Sequence, residues 1–231
     1  DLKYGNVHFA HKPVYCEELE EDIEFFSNRY DFNELEYIPK YRIKEVIGSE
    51  VYYGAQWNKA ALHLHPLKYA LGLAKAALDA AVTIYENSRV QSYSGTPVIV
   101  KTGQGQVTAS ELILACNGYI EDLEPKINGY IMPINNFVLA TEPLSPEILA
   151  SVVPKDTSMG DSRFVVNYWK LSGDNRLIFG GGENYRRGFP SDIKGFVQKY
   201  MLQVYPQLSD TQIDYGWGGT LAITMNRLPH F

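Results

Sequence analysis

One apolar run constrains the fold more than any other feature: residues 112–117, LILACN, which follow the polar lead VTASE and end at Gly118. Such a run is typical of a strand that is buried on both faces, and strands of this kind in open α/β sheets often end at a ligand. The usual partner motif, a strand followed by G-x-G-x-x-G and a helix, does not occur in the sequence. The run therefore predicts a ligand-facing strand and leaves open what holds the ligand.

Helical and strand patterns alternate along the rest of the chain. The patterns predict helices over residues 14–30, 38–48, 65–81, 145–153 and 191–206. They predict strands over residues 50–57, 82–90, 130–144 and 212–224, and hairpins over 97–116 and 163–185. The first hairpin turns at Gly103-Gln104-Gly105 and the second at Gly173-Asp174-Asn175.

This order of elements predicts an α+β fold. Residues 66–118 read as a βαβ-type part of a nucleotide-binding domain of the Rossmann kind. Residues 1–65 and 119–231 read as the two parts of a second domain, in which helices flank a mixed or antiparallel sheet. The first residue is Asp rather than Met, so we expect the chain to be an internal piece of a longer protein.

Charge and cysteine usage exclude several classes of function. The net charge is −6 with no basic block, which argues against nucleic acid as a partner. The only two cysteines, Cys16 and Cys116, lie far apart, outside any metal or redox spacing, so reduced thiols in the cytoplasm are expected. No apolar run reaches the length of a membrane span. His63 and His65 share a strand face but have no third ligand nearby, so no metal site is predicted.

Aromatic and glycine residues provide the other candidates for a site. Tyr168 and Trp169 are adjacent on a predicted strand, so one of them must face away from the core or toward a cavity. Trp217 is bordered by small residues, and an aromatic face at a pocket suits an amine. Ordinary core packing is the alternative for each ring. The run Gly180–Gly182 permits close approach of a ligand or of another chain, and a bulge or wide turn is the alternative.

Taken together, these motifs resemble a known family. The chain has His-Pro before a helix, then a strand, and then Ala-Cys-Asn-Gly, Gly-Gly-Gly and Trp-x-Gly. This order of motifs is similar to that of the FAD-dependent D-amino-acid oxidase superfamily. The resemblance covers nearly the whole chain. It implies that the dinucleotide fingerprint precedes this chain and that a glycine-rich segment covering the flavin follows it. It also implies that this chain alone does not bind FAD stably, because the amides that hold the pyrophosphate at a helix N-terminus lie elsewhere.

The resemblance implies a set of site residues. On the cofactor side they are Val90, Ala115, Asn117, Gly118, Trp217 and Gly219. On the substrate side, positions along the strands predict His65, Asn136, Tyr168 and Trp169. No residue is assigned a catalytic role, because in such enzymes the flavin carries the difficult chemistry and no acid–base dyad is required.

The implied activity is oxidation of an amine or amino acid, with gamma-glutamylputrescine as one candidate substrate. A hydride passes from the carbon bearing the amine to the flavin, and O2 then reoxidises the flavin to give peroxide. One alternative is a non-catalytic module that binds amines and retains the oxidase fold. Another is a related flavin enzyme whose substrate is sarcosine or glycine.

Overall fold

The computed structural model describes residues 2–127, 129–185 and 188–228. The chain forms two compact units. Unit one comprises Asp1–Pro66 and Asn136–Gly219, and unit two comprises Leu67–Asn135 and Thr220–Phe231. The predicted domain boundaries fell at 65/66 and 118/119, and the assignment of a function to each domain stays a prediction.

Within the described residues, strands and helices alternate along the chain. The strands are Lys3–Ala10 (β1), Leu35–Pro39 (β2), Gly54–His63 (β3), Val90–Ser94 (β4), Val98–Thr102 (β5), Gln106–Ala109 (β6), Ile131–Pro143 (β7), Ser158–Asp161 (β8), Tyr168–Leu171 (β9), Arg176–Asn184 (β10) and Ile213–Thr224 (β11). The α-helices are Val14–Tyr30 (α1), Pro66–Asp79 (α2), Pro146–Val152 (α3) and Ile193–Val204 (α4). Short 3-10 helices occupy Lys40–Glu45, Asn117–Tyr119, Glu121–Leu123 and Pro206–Leu208.

The main sheet has eight strands in the order β11-β7-β10-β9-β8-β1-β3-β2. β1 pairs in parallel with β8, whereas β1 with β3, β2 with β3, β8 with β9 and β9 with β10 are antiparallel. Helices pack against this sheet, with α1 over β1–β3 and α4 over β10. The predicted mixed sheet flanked by helices is therefore confirmed.

Local signals in the sequence set several of these boundaries. The amphipathic pattern places α1 at Val14–Tyr30, as predicted. Ser145 caps α3 by accepting a hydrogen bond from the amide of Ile148, and proline fits the first turn. The β9–β10 hairpin closes at the predicted Gly-Asp-Asn turn, where Asn175 takes a positive φ of 64°.

The core of unit one is built around stacked aromatic rings. Trp169 stacks on Phe179 with ring centroids 5.4 Å apart and on Phe9 at 5.8 Å, and Tyr205 meets it edge-on at 6.0 Å. The predicted apolar face of α4 packs against this core through residues that include the fully buried Val197. Each such aromatic side chain removes a large apolar area from water, so this core is the main source of the unit's stability.

Unit two has a small sheet of its own. β4, β5 and β6 form an antiparallel three-stranded sheet with the predicted turn at residues 103–105. α2 starts at the predicted Pro66. Among the described residues of this unit, α2 is followed by antiparallel strands, and the expected βαβ pairing is not seen.

Two strand predictions in unit two were wrong. Residues 112–116 belong to no strand in the described part of the chain, Asn117 begins a 3-10 helix, and Ile113 is 87% exposed. Of the predicted strand 82–90, only Val90 enters a ladder. In both places the β-forming side chains are present, but a strand requires a hydrogen-bonding neighbour, which an apolar pattern does not supply.

Candidate functional site

One face of the main sheet in unit one is turned away from the α4 core, and we call it the polar face. Its members are His8, Asn136, Tyr168, Gly180 and Trp217. Tyr168 follows the alternation of β9, so it points opposite to the buried Trp169. A side chain at Gly216 or Gly218 would meet α4 or the core ring of Phe137, so Trp217 between them points to the polar face. α1 covers the β3 end of this face, because Gln56 donates to the Leu19 carbonyl at 3.3 Å.

Tyr168 and Asn136 form a hydrogen-bonded pair at the middle of the polar face. The Tyr168 hydroxyl donates to Oδ1 of Asn136, and Nδ2 of Asn136 donates to the carbonyl of Gly182 at 3.5 Å. The side chain of Tyr168 is 39% exposed. Burial of the rest of the ring raises the pKa of Tyr168, so the phenol remains protonated at neutral pH. The structure thus brings together two of the predicted substrate-side residues.

The glycine run at the end of β10 makes room for rings of this same chain. A Cβ at Gly180 would lie 2.1 Å from Cζ of Tyr168, so only glycine lets that ring lie flat across β10. A Cβ at Gly181 would lie 3.2 Å from Cβ of Tyr200 on α4, and one at Gly182 would lie 2.5 Å from its ring. Aromatic side chains of this chain therefore occupy the space that the glycines leave, and close approach of a ligand or of another chain stays a prediction.

Trp169 requires a correction. We predicted that it contacts substrate, but its side chain is only 2% exposed and stacks within the aromatic core. Because adjacent residues of a strand face opposite ways, exposing Tyr168 necessarily buries Trp169. No surface of the indole is left to contact a ligand, so Trp169 belongs to the core.

The two histidines near the end of β3 have different surroundings. His63 is 8% exposed, and burial lowers its pKa, helped by the charge of Lys170. His65 is exposed and lies next to Leu64, whose carbonyl accepts a hydrogen bond from the Lys170 ammonium. A role of His65 at the substrate stays a prediction. Within residues 2–127, 129–185 and 188–228, no group of three His, Cys, Asp or Glu is placed to hold a metal ion.

Unit two contains a cavity of about 600 Å³. It is lined by Arg89, Val90, Gln91, Leu112, Ile113, Leu114, Cys116 and residues 119–123. Val90, predicted to touch the adenine side of FAD, is therefore brought together with the residues on either side of Ala115. Half of the lining side chains are aliphatic, and Arg89, Gln91, Glu121 and Asp122 add polar and charged groups, a mixture that can accommodate a heteroaromatic ring with polar substituents. Ala115 is not among the residues that line the cavity, and contact of Val90 or Ala115 with FAD stays a prediction.

Asn117 and Gly118 serve the packing of unit two itself. Oδ1 of Asn117 accepts a hydrogen bond from the amide of Ala222 at 2.8 Å. A Cβ at Gly118 would lie 2.7 Å from the carbonyl oxygen of Thr220, and the amide of Thr220 donates to the Tyr119 hydroxyl. These contacts hold the segment after the apolar run against the end of β11. Contact of either residue with FAD stays a prediction.

The remaining cofactor-side predictions fall on β11 in unit one. Trp217 is 45% exposed on the polar face, and Gly219 is half-buried two residues further along the strand. Sequence reasoning missed His8, which lies on the same face. The alternation in β1, with Val7 and Phe9 buried, was the available signal for its orientation, but nothing in the sequence shows which strands flank it.

One unit carries a mixed eight-stranded sheet with a polar, aromatic-lined face, and the other carries a small antiparallel sheet and a cavity, so the chain is a two-part α+β protein. The chain belongs to the FAD dependent oxidoreductase (DAO) family, whose family model matches residues 3–231. FAD is the cofactor of this family. Within the described residues, no helix is long and apolar enough to cross a membrane.

Curated relatives match nearly the whole chain. It is 35% identical over 229 residues to "Probable oxidoreductase OrdL" of Rhizobium meliloti, covering 97% of this chain and 53% of that protein. It is also 35% identical over 233 residues to gamma-glutamylputrescine oxidoreductase of Escherichia coli, covering 100% of this chain and 54% of that protein. The chain thus spans about half the length of the curated relatives it matches.

Solved structures show the same fold at low sequence identity. Glycine oxidase from Geobacillus kaustophilus matches with a TM-score of 0.81 at 16% identity, over 98% of this chain and 61% of that one. L-proline dehydrogenase from P. horikoshii matches with a TM-score of 0.77 at 17% identity, over 97% and 62%. These similarities confirm the fold class.

Proposed function

We propose that the whole protein is an FAD-dependent oxidoreductase that oxidises an amine or an amino acid. The observation that carries the proposal is the Tyr168–Asn136 pair, exposed on the polar face of a chain that belongs to this family. FAD, when bound, supplies hydride acceptance from the carbon that bears the amine, and O2 is the proposed electron acceptor. The protein's part is to bind the amine, to orient it and to exclude water.

The residues of the polar face suit this task. Asn136 accepts the hydrogen bond that the Tyr168 hydroxyl donates, and this bond fixes the Tyr168 ring across Gly180. The exposed ring of Trp217 offers a second aromatic face on the same side of the sheet, and cations bind to such faces. Fixed aromatic walls position a small cationic substrate at little entropic cost, because few of their rotamers need to be frozen on binding.

For the substrate, we propose gamma-glutamylputrescine as the first candidate. The support is the 35% identity to an oxidoreductase of that name over the whole of this chain. Glycine and L-proline are the competing candidates, supported by structural neighbours at 16% and 17% identity.

The test uses the full-length protein, purified with its flavin. Its visible spectrum shows whether FAD is bound, and peroxide release or dye reduction measures oxidation of gamma-glutamylputrescine, putrescine, sarcosine, glycine and L-proline. We expect a yellow protein and turnover of at least one amine. The variant Tyr168→Phe removes the hydrogen bond to Asn136 and is expected to lower kcat/KM about tenfold. A flavin-free protein, or one inert toward every amine, would show a binding module instead.

The chain described here is proposed not to hold FAD tightly by itself. The G-x-G-x-x-G loop, which binds the pyrophosphate through backbone amides, does not occur in its sequence. Titration of the purified chain with FAD, followed by flavin fluorescence, is expected to show no stoichiometric complex. Tight one-to-one binding would contradict this.

A further inference from the structure

Lys170 places a cation on the same side of the sheet as the polar face. It follows Tyr168 by two positions on β9 and stands between the buried Trp169 and Leu171, so its side chain points to the same side as Tyr168. The ammonium donates a hydrogen bond to the backbone carbonyl of Leu64, which is a neutral acceptor. One carbonyl takes one of the three hydrogens of an ammonium, so two donors are left for a ligand.

The charges around Lys170 do not pair with it. Within the described ranges, none of the ion pairs includes Lys170, and the nearby Asp156 is paired with Lys3 instead. Burial lowers the pKa of Lys170, the charge of Lys3 lowers it further, and Asp156 opposes both. Burial has this effect because a half-buried ammonium has lost part of its hydration. An anion beside the ammonium would offset that loss, so the position favours an anionic ligand.

The side chains next to Lys170 are uncharged. Ile178 lies opposite it on β10. On β8, Ser158 comes next in the antiparallel register with β9, and its hydroxyl accepts a hydrogen bond from Nδ2 of Asn6 at 2.9 Å. The same hydroxyl donates to the carbonyl of Gly5 at 3.2 Å. These neighbours therefore carry no charge that would compete with a ligand for the ammonium.

The Lys170 side chain extends away from Tyr168. By way of β8, the row that contains Tyr168 crosses β1 at His8, near the end of that strand. β3 runs antiparallel to β1, so its last residue lies opposite Lys3, at the start of β1. The Leu64 carbonyl that holds the ammonium follows directly after β3. The ammonium is therefore drawn toward the end of the sheet that is far from the Tyr168 row.

The separation of the two groups sets the length of a ligand that contacts both. The Tyr168 ring lies across Gly180, one strand further over, and its hydroxyl donates to Asn136. Two residues along β9 span about 6.6 Å, and one strand spacing adds about 4.8 Å in the perpendicular direction. Because Lys170 extends the other way, its ammonium and the Tyr168 hydroxyl are roughly 10 Å apart or more. An α-amino acid carries its nitrogen and its carboxylate on one carbon atom, so it is too short to reach both.

Building on the function proposed above, we propose that Lys170 binds a carboxylate of the substrate that is remote from the nitrogen to be oxidised. The amine end meets Tyr168 and Trp217, the aliphatic middle crosses Ile178, and the carboxylate accepts hydrogen bonds from the Lys170 ammonium. The substrate class is an amine with a distant carboxylate, such as a diamine acylated by a dicarboxylic acid. Lys170 does not contact the reacting atoms, so it determines specificity and is not catalytic. Gamma-glutamylputrescine belongs to this class, whereas glycine and L-proline do not.

The first test compares two acylated diamines of equal chain length. N-glutarylputrescine ends in a carboxylate, N-pentanoylputrescine has a methyl group in its place, and both present the same free amine. In the full-length protein with its flavin, we expect kcat/KM to be about 10- to 100-fold higher for N-glutarylputrescine, which is the usual strength of a hydrogen bond to a charged group. Equal values, or a preference for the methyl compound, would overturn the proposal.

The second test removes the ammonium. Lys170→Met keeps the length of the side chain, and the preference for N-glutarylputrescine is expected to disappear. A merely structural role would lower kcat/KM for both compounds by the same factor and keep their ratio, which would disprove the proposal. Lys170→Arg retains the positive charge and should restore most of the preference. The matched control is Lys199→Met, which makes the same change at an exposed residue of α4, on the other side of the sheet, and should leave the ratio as it is in the wild type.

A ligand that cannot be oxidised distinguishes failure of this proposal from failure of the proposed function. N-butylglutaramate has the carboxylate and the amide of N-glutarylputrescine but no amine. In calorimetric titration of the full-length protein, it should bind to the wild type and to Lys199→Met, and about 10- to 100-fold more weakly to Lys170→Met.

Each outcome of that titration decides one of the two proposals. Binding that depends on Lys170, in a protein that oxidises no amine, would support the carboxylate site and disprove the oxidase. Turnover of amines by a protein whose affinity for N-butylglutaramate is the same with and without the Lys170 ammonium would disprove the carboxylate site while the oxidase function stands. Absence of binding to the wild type would also disprove the carboxylate site.

Discussion

The two units of this chain differ most in how they treat their apolar side chains. Unit one encloses Trp169, Phe9 and Phe179 in a stack from which water is excluded. In unit two, α2 contains no buried residue, and Leu71 is 61% exposed although it lies on the predicted apolar stripe. The same kind of sequence pattern, an amphipathic element, therefore has two outcomes in one chain.

This difference shows that an apolar stripe predicts where a helix forms but not whether the stripe is buried. The stripe of α4 in unit one meets a sheet whose core residues fit against it, so Val197, Met201 and Val204 are fully buried. The stripe of α2 meets no such surface within unit two. Stability should therefore respond strongly to core substitutions in unit one and weakly to substitutions on α2, because the hydrophobic contribution scales with the area removed from water.

Among these substitutions, Trp169→Ala is expected to lower the free energy of unfolding the most. This substitution removes the ring that contacts Phe9, Phe179 and Tyr205, and it leaves a cavity in a packed core. We expect the free energy of unfolding of unit one to fall by about 3–5 kcal/mol, measured by urea denaturation followed by circular dichroism.

Trp217→Ala is the matched control for that experiment. It removes the same side chain from the exposed polar face and should cost much less. Equal losses for the two tryptophans would break the distinction between core and face. If Trp169→Ala does not fold, Trp169→Phe, which keeps a ring in the stack, should fold with a smaller loss.

The next largest effect is expected for Asp161→Ala. The Asp161 carboxylate is fully buried and accepts hydrogen bonds from Tyr52 at 2.9 Å, from Asn167 and from the guanidinium of Arg163. Its removal leaves these donors without their acceptor, one of them charged, at a cost of about 3 kcal/mol.

A companion variant tests why the loss occurs. Tyr52→Phe removes one donor and leaves the Asp161–Arg163 pair in place, so it should cost only about 1 kcal/mol in the same denaturation experiment. If both variants cost the same, the phenol rather than the ion pair dominates this network.

The sequence predicted the local features of unit one and missed the distant ones. The bounds of α1 and the turn at Gly173–Asn175 depend on neighbouring residues alone, and both predictions are confirmed. The position of His8 in the sheet depends on the pairing of β1 with β8, which joins segments about 150 residues apart. No spacing rule within a single strand contains that information, so His8 was not among the predicted site residues.

The errors in unit two have a related cause. Residues 112–117 carry the side chains of a buried strand, but a strand forms only where a second backbone supplies hydrogen bonds. Within the described residues, none is supplied there, and Ile113 stays in contact with water. Predictions from apolar runs therefore depend on neighbours that the run itself does not specify.

Acid should weaken unit one more than unit two. Burial lowers the pKa of both His8 and His63 in the folded protein, so the unfolded chain takes up protons first as the pH falls. The full contribution to stability is present above the unfolded pKa of about 6.5, and it is lost as the pH falls below that value toward the folded pKa values. The described residues of unit two contain no histidine.

Denaturation series at successive pH values between 8 and 5 measure this effect. The midpoint for unit one should fall in acid, and the fall should be smaller in His63→Gln and smaller again in the double variant with His8→Gln. The substitution Gln56→Asn, which alters an uncharged neighbour of His8, should leave the slope unchanged. A slope that is insensitive to both histidines would assign the acid loss to other groups, which include His11, whose pKa burial also lowers, and the carboxylates.

The smallest expected effect is that of Leu71→Gln on α2, and it tests the comparison most directly. Glutamine has nearly the helix propensity of leucine, and the side chain at this position is already largely in contact with water. In the chain described here, the free energy of unfolding should change by less than about 0.5 kcal/mol, whereas Val197→Ala on α4 should cost about 2 kcal/mol or more. A large loss for Leu71→Gln would mean that α2 buries this face after all. Repeating the pair of substitutions in the full-length protein sharpens the result, because a loss that appears only there must come from contacts made by residues outside this chain.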